Sequence, residues 1–272
     1  MSKIIQVTTY PFGTCNRLTR DILERTGWDI RYNPYNRRLK ATEVKDLVSD
    51  AHGIIAGTEP YTKGIIDDCR NLKVLSRVGV GFENVDIEAC HQRGIIVTYT
   101  PDAPVQGVAE LTFCQMLNLL RGTYISDRSV RSGDWIRHIG YLISEVKIGI
   151  LGVGRIGGRL AQMLQPFAPQ LYGCDILINE VLGKQCNINW LSCGDLFKTC
   201  DIISVHVPLN EQTHHFIGEK EFASMQQGSF FINISRGPVI DEVALIKYLK
   251  NGHLAGAALD VFLSTIYYSI IS

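Results

Sequence analysis

The spacing of Gly152, Gly154 and Gly157 constrains this chain more than any other feature of its sequence. These glycines stand in K-I-G-I-L-G-V-G-R-I-G-G, residues 147–158, where residues 148–153 read as a buried strand running into a turn and then a helix. In the pattern G-x-G-x-x-G the first glycine lets the chain turn tightly. The second lets backbone approach a pyrophosphate, and the third lets helix pack closely on strand. The helix that opens there offers unpaired N–H groups and a partial positive charge to phosphates. Alone, the motif is equally compatible with an ordinary glycine-rich turn, but two neighbours favour the dinucleotide reading. Ile156, Leu160, Met163, Leu164 and Phe167 repeat at helical spacing. Residues 170–174 then read as a second strand ending in Asp175, about twenty residues past the glycines, where a dinucleotide site places an acid on the ribose diol. A strand-end aspartate is also a common turn residue; in this context the ribose role is favoured. Its carboxylate would repel a 2′-phosphate, and Ile176 and Leu177 follow where a phosphate-binding arginine would otherwise sit. The expected cofactor is NAD rather than NADP.

At 272 residues the chain has room for two modest domains, each with its own core. Its 27 basic and 27 acidic residues balance without a long run of either sign, which argues against a nucleic-acid or membrane-surface partner. No apolar run is long enough to span a bilayer, and the N-terminus lacks the pattern of a signal peptide. Eight cysteines, none in a Cys-x-x-Cys pair, read as small core hydrophobes rather than disulfides or metal ligands. A cytoplasmic protein without a metal centre is the expectation.

Strand-like runs at residues 4–8, 28–32, 53–56, 74–78 and 95–99 alternate with helical patterns at 17–25, 42–49, 63–69 and 87–92, the last capped by Asp86. The alternation predicts an α/β domain whose parallel sheet is covered on both faces. Residues 101–104, bounded by prolines, read as a hinge. Helical stretches follow at 105–121 and 124–131. Beyond the glycine unit, strands at 201–207, 229–234 and 254–261 alternate with helices at 219–225 and 242–250. Ligands in such sheets gather at the carboxyl ends of strands. Three loops stand out there: the glycine turn 79–86, whose N–H groups suit an anion; residues 208–210 with Thr213; and residues 235–238. Arg236, between small residues at a strand end, is placed to fork a carboxylate. On spacing alone, a solvated loop arginine is an equal reading.

The motifs R-V-G-V-G-F-E-N-V-D from Arg77, V-A-E from Val108, G-I-L-G-V-G-R-I-G from Gly149, H-V-P-L-N from His206, I-N-I-S-R-G-P-V-I-D from Ile232 and A-A-L-D-V-F from Ala257 occur in this order. Together they resemble the D-2-hydroxyacid dehydrogenases, nearest the phosphoglycerate dehydrogenase branch, over most of the chain through Phe262. The resemblance implies two doubly wound α/β domains. One is a flavodoxin-like substrate domain at residues 1–101, and the other a Rossmann NAD-binding domain at 102–272. It implies hydride transfer between NAD and a 2-hydroxy or 2-keto acid in the cleft between them, most simply 3-phosphoglycerate as in serine biosynthesis. Carried over by position, Arg155 and Ile156 contact the pyrophosphate beside Gly152, Gly154 and Gly157, and Asp175 contacts the ribose. Val207 and Pro208 line the adenine and ribose path, while Ile234, Ser235, Arg236 and Asp260 flank the nicotinamide. Val80 and Gly81 offer amides to the substrate carboxylate, and Arg236 binds and orients the substrate. A homodimer through the cofactor domain, with the 105–121 helix at its centre, is also implied.

Two departures qualify that expectation. The family's glutamate falls at Thr265, and its histidine lies beyond Ser272, as does the segment that returns to the first domain. A positioned general acid–base is typically worth about 10²–10⁴ in rate, so impaired turnover is expected, with no substitution by His206, His214 or His215. Apolar surface is expected to be uncovered on the first domain. A non-catalytic NAD(H)-binding interaction protein is the competing reading. Because the T-E-P-Y turn at 58–61 carries no arginine, glyoxylate and hydroxypyruvate compete with the phosphorylated substrate.

Overall fold

Strands and helices alternate through residues 2–263, which the computed structural model describes. The chain divides into two compact units between Pro104 and Val105. The first contains β1 (Ile4–Val7), α1 (Leu18–Glu24), β2 (Asp29–Tyr32), α2 (Ala41–Val48), β3 (Gly53–Ala56), α3 (Lys63–Asp68), β4 (Val74–Arg77), α4 (Ile87–Gln92) and β5 (Ile96–Tyr99). All pairings are parallel, in the order β2-β1-β3-β4-β5, which is the flavodoxin-like winding. Ile54, in register with Gln6 on one side and Leu75 on the other, sits at the centre of a core that includes Val44, Val48, Ile66 and Cys90. Asp86 caps α4 by accepting the Ala89 N–H at 2.9 Å. Helix α1, by contrast, buries none of its side chains, and Leu18 and Ile22 are exposed. Cover of both sheet faces is therefore not supplied by α1.

The second unit contains α5 (Val105–Arg121), α6 (Thr123–Arg131), β6 (Lys147–Leu151), α7 (Arg155–Leu164), β7 (Gln170–Cys174), α8 (Glu180–Gln185), β8 (Asn189–Trp190), α9 (Cys193–Thr199), β9 (Ile202–Val205), α10 (Glu219–Ser224), β10 (Ser229–Asn233), α11 (Glu242–Lys250) and β11 (Leu254–Leu259). Its six parallel strands run β11-β10-β9-β6-β7-β8. Read from β8, this is the Rossmann order, with the crossing point at β6. β10 is buried along its whole length, as a strand covered on both faces must be. Leu160 and Leu164 of α7 and Met116 and Leu120 of α5 meet in one core. Phe167, expected on the α7 face, lies instead in the 3-10 turn Gln165–Phe167 and contacts the Phe113 ring at 5.4 Å.

Several strands are shorter than the apolar runs that signal them: Val78 and Val153 fall outside β4 and β6. Gly79 and Gly152 adopt positive φ beside them and end the extended run. Cys69, Cys90, Cys186 and Cys200 are buried, whereas Cys15 and Cys114 are exposed, contrary to a uniform core role. Among the described residues no helix is long and apolar enough to cross a membrane, and no group of three metal-ligating side chains occurs.

Candidate functional site

The carboxyl edge of the second sheet brings five strand exits into a row, and the glycine turn after β6 lies within it. Gly152 turns at φ +91, and its N–H donates to the Cys174 carbonyl at 2.9 Å. A Cβ on Gly152 would meet the His206 backbone at 2.9 Å, because the His206 N–H is drawn to the Leu151 carbonyl at 2.7 Å. A Cβ on Gly157 would overlap the Gly152 carbonyl and press on Ile150. These two glycines are therefore required by the protein's own packing. Gly154 differs, since a Cβ there would point into open space. The protein itself gives no steric reason for a glycine at 154, whereas a pyrophosphate lying on that backbone does. The residues thus fit the cofactor that the turn implies.

Asp175 follows β7, and its two carboxylate oxygens accept the Val153 N–H at 2.6 Å and the Leu177 N–H at 3.0 Å. An ionised carboxylate has further lone pairs to offer ribose hydroxyls. Val153, Gly154, Arg155, Asp175, Leu177 and Ile178 help line a cavity of about 720 Å³. Ile156 is half-buried behind the turn.

The other exits continue the row. After β9, Val207 and Pro208 are held by the Asn210–Thr213 turn, with the Thr213 hydroxyl donating to the Pro208 carbonyl at 2.6 Å. His206 Nε2 lies 2.8 Å from Ser204 Oγ, and burial pushes its pKa down to about 4, so the ring is neutral at pH 7. After β10, Asn233 braces the loop that carries Arg236. Fully buried, it accepts from the Ser235 N–H at 3.0 Å and the Ser235 hydroxyl at 2.8 Å, and donates to the Arg236 carbonyl at 3.0 Å. The Asp260 N–H, after β11, donates to the Asn233 carbonyl at 3.1 Å. Desolvation raises the pKa of the Asp260 carboxyl. Gly237 sits so close to the Phe262 backbone that a Cβ would overlap it, and buried Glu242 accepts the Leu263 N–H.

Sequence reasoning missed Asn233, although an Asx two residues before a serine at a strand end is a local turn signal. Gly152, Gly154, Arg155, Ile156, Gly157, Asp175, Val207, Pro208, Ile234, Ser235, Arg236 and Asp260 all fall on this one edge. Thr265, the position matched to the family's glutamate, lies outside the described residues.

Val80 and Gly81 belong to the first unit. There Gly79, at φ +139, donates its N–H to Thr100 Oγ1 at 2.7 Å. Among the described residues, neither the Val80 nor the Gly81 amide meets an acceptor. Arg77 is buried beneath the turn and bonds to the Val78 carbonyl. Glu59, 1% exposed, accepts the Gly57 N–H at 2.8 Å.

Residues 113–266 match the family model described as D-isomer specific 2-hydroxyacid dehydrogenase, NAD binding domain. The chain is 36% identical over 221 residues to a glyoxylate reductase of Thermococcus litoralis, covering 78% of this chain and 67% of that one. It is 35% identical over 229 residues to a D-3-phosphoglycerate dehydrogenase of Methanocaldococcus jannaschii, covering 82% of this chain and 44% of the relative. Among solved structures, D-lactate dehydrogenase from Aquifex aeolicus, complexed with NAD and lactic acid, superposes with a TM-score of 0.84 at 27% identity. The match covers 98% of this chain and 79% of that one.

Proposed function

The chain belongs to the D-isomer-specific 2-hydroxyacid dehydrogenase family, and from that premise we propose that it binds NAD along the edge described and aligns a short 2-keto or 2-hydroxy acid for hydride transfer. The observation that carries this reading is the open space over Gly154, beside a cavity that reaches Asp175. Bound NAD supplies the two-electron donor or acceptor. The protein's own residues do the rest. The first amides of α7 face the pyrophosphate, and Asp175 holds the ribose while anchoring the turn through Val153. Asn233 fixes the backbone of Ser235 and Arg236; the Arg236 guanidinium, whose Nη1 donates to the Ser235 carbonyl at 2.8 Å, is the proposed ligand of the substrate carboxylate and carbonyl. In the first unit, the Val80 and Gly81 amides are the proposed substrate donors.

Relatives are divided between glyoxylate reductase and D-3-phosphoglycerate dehydrogenase. We favour an acid bearing a single carboxylate, glyoxylate or hydroxypyruvate, because the 58–61 turn itself carries no arginine to meet a phosphate dianion. What favours 3-phosphohydroxypyruvate is Arg38, whose Nη2 donates to the Thr58 carbonyl at 2.7 Å beside the same turn. Thr265 carries no charge where the family has its glutamate, and His206 is neutral above about pH 4. With no carboxylate at 265 to support an acid–base partner, turnover is expected to be slowed.

Exposed Trp135 and Ile139, between α6 and β6, support a homodimer through the cofactor unit, which sedimentation would read directly. Eight free cysteines suit a reducing cytoplasm.

The deciding experiment is NADH consumption by the whole chain with glyoxylate, hydroxypyruvate and 3-phosphohydroxypyruvate, beside Arg236→Ala. Consumption abolished by Arg236→Ala supports the dehydrogenase, and the preferred acid identifies its substrate. NADH binding without consumption of any of the three would favour the second reading, an NAD(H)-binding interaction protein.

A further inference from the structure

We propose that Asn84 is the positioning residue of the first unit's anion turn: by tying residues 79–86 to the buried turn 57–61, it aims the Val80 and Gly81 amides at the substrate carboxylate. Asn84 does not touch the acid; it acts through the backbone it fixes. The inference rests on the reading, proposed above, that these two amides receive the acid.

The turn 57–61 is the rigid member of the pair. Tyr61 is fully buried, and its hydroxyl lies 2.6 Å from Thr8 Oγ1. Glu59, also buried, accepts the Gly57 N–H at 2.8 Å. Asn84 grips this turn from both its side chain and its main chain. Its Nδ2 donates to the Gly57 carbonyl at 3.1 Å and to the Glu59 carbonyl at 2.6 Å. Its own carbonyl accepts the Tyr61 N–H at 2.8 Å. The Asp86 N–H then donates to the Tyr61 carbonyl at 2.9 Å, completing a short parallel bridge between Tyr61 and Val85. The chemistry suits asparagine: its amide nitrogen carries two donors, whereas an ionised aspartate has none and a serine has one.

Residues 79–86 depend on that grip. Their start is held by Thr100, whose Oγ1 accepts the Gly79 N–H at 2.7 Å and whose N–H donates to the Gly79 carbonyl at 3.1 Å. Within the turn the Val85 N–H closes onto the Phe82 carbonyl at 3.0 Å, so the placement of Asn84 passes to Phe82, next to Gly81. Phe82 also rests on the Tyr99 ring at 5.4 Å, but these rings are 43% and 46% exposed and hold the turn weakly. Val80 and Gly81 are thus suspended between Thr100 and Asn84. Two amides that converge on one carboxylate bind it well when they are ordered in advance. With one anchor gone, that ordering has to be supplied on binding, and affinity falls.

The test titrates oxamate, which places a carboxylate beside a carbonyl, into the whole chain saturated with NADH, using calorimetry at a temperature where melts show each chain folded. Asn84→Ala and Asn84→Asp should bind NADH as the wild type does, since the second unit holds it. Both should raise the oxamate Kd at least about tenfold (roughly 1.4 kcal/mol). Asn84→Asp keeps the shape and loses the donors, so its effect separates hydrogen bonding from packing. A merely structural role would lower the melting temperature and leave the oxamate Kd of the folded chain unchanged. A second measurement needs no variant: in the NADH-loaded wild type, oxamate should slow hydrogen exchange at Tyr61 and Asp86 together with Val80 and Gly81. Unchanged oxamate affinity in the folded variants, or slowing at Val80 and Gly81 without slowing at Tyr61 and Asp86, would overturn the inference alone. An NADH-loaded wild type that takes up no oxamate would overturn the proposed acid site, and this inference with it.

Discussion

The glycine turns that leave β4 and β6 begin alike, with Gly79 and Gly152 both at positive φ, and then diverge. After Gly152 the ten-residue helix α7 opens almost at once, with Gly157 tucked beneath the Gly152 carbonyl. After Gly79 no helix opens until α4, and side chains tie the turn instead. Thr100 Oγ1 takes the Gly79 N–H, and the Asn84 amide donates to the Gly57 and Glu59 carbonyls at 3.1 and 2.6 Å. A Cβ added at Gly79 would run into the Arg77 side chain; at Gly152 or Gly157 it would run into main chain. A glycine pattern is therefore most informative where backbone sets the steric limit. At Gly154 the protein sets no such limit, and there the G-x-G-x-x-G spacing, rather than open space alone, points to a ligand.

The contrast between the turns can be broken by substitution. Gly157→Ala should cost about 1–3 kcal/mol of stability from overpacking and abolish NADH binding, read by thermal melting and fluorescence titration. Gly154→Ala should leave the melt unchanged yet weaken NADH binding by roughly 100-fold, about 2.7 kcal/mol. Normal affinity in a folded Gly154→Ala chain would remove the main support for a pyrophosphate on that backbone. Asp175→Ala, which loses the ribose contact and the anchor on Val153, should weaken NADH by about 10–100-fold, from charged hydrogen bonds worth roughly 1.5–3 kcal/mol.

A pH series sharpens the comparison, because only the β6 turn abuts the backbone of a half-buried histidine whose pKa is lowered. With its pKa pushed down to about 4 against an ordinary 6.5, His206 binds a proton more readily in the unfolded chain. Its contribution to stability is thus full above about pH 6.5 and is lost as pH falls towards 4, by roughly 1–2 kcal/mol given its partial exposure. His206→Asn should flatten that part of the stability curve. Gly79→Ala should cost stability alone, about 1–3 kcal/mol for its positive φ, with NADH affinity untouched.

Much of this was legible in the sequence, for physical reasons that can be named. Helix α5 runs from Val105 to Arg121 as its period requires, and β7 ends at Cys174, one residue before the acid. Helix α8 and strand β8 escaped because six and two residues are too short to establish a period, and exposed Val181 breaks the apolar face of α8. The Asn233 brace escaped because a polar side chain inside a fully buried strand is informative only once its partners are known.

The rim of the cavity beside Asp175 has a thermodynamic consequence. Leu177 is 79% exposed, and Ile178 and Val181 also present hydrocarbon to water. Any planar heterocycle that settles there withdraws that surface from solvent, so complex formation must carry a negative heat-capacity change. The enthalpy of capture therefore becomes more favourable, and the entropy less so, with each degree of warming, although oriented amides and one carboxylate fix how the ligand lies.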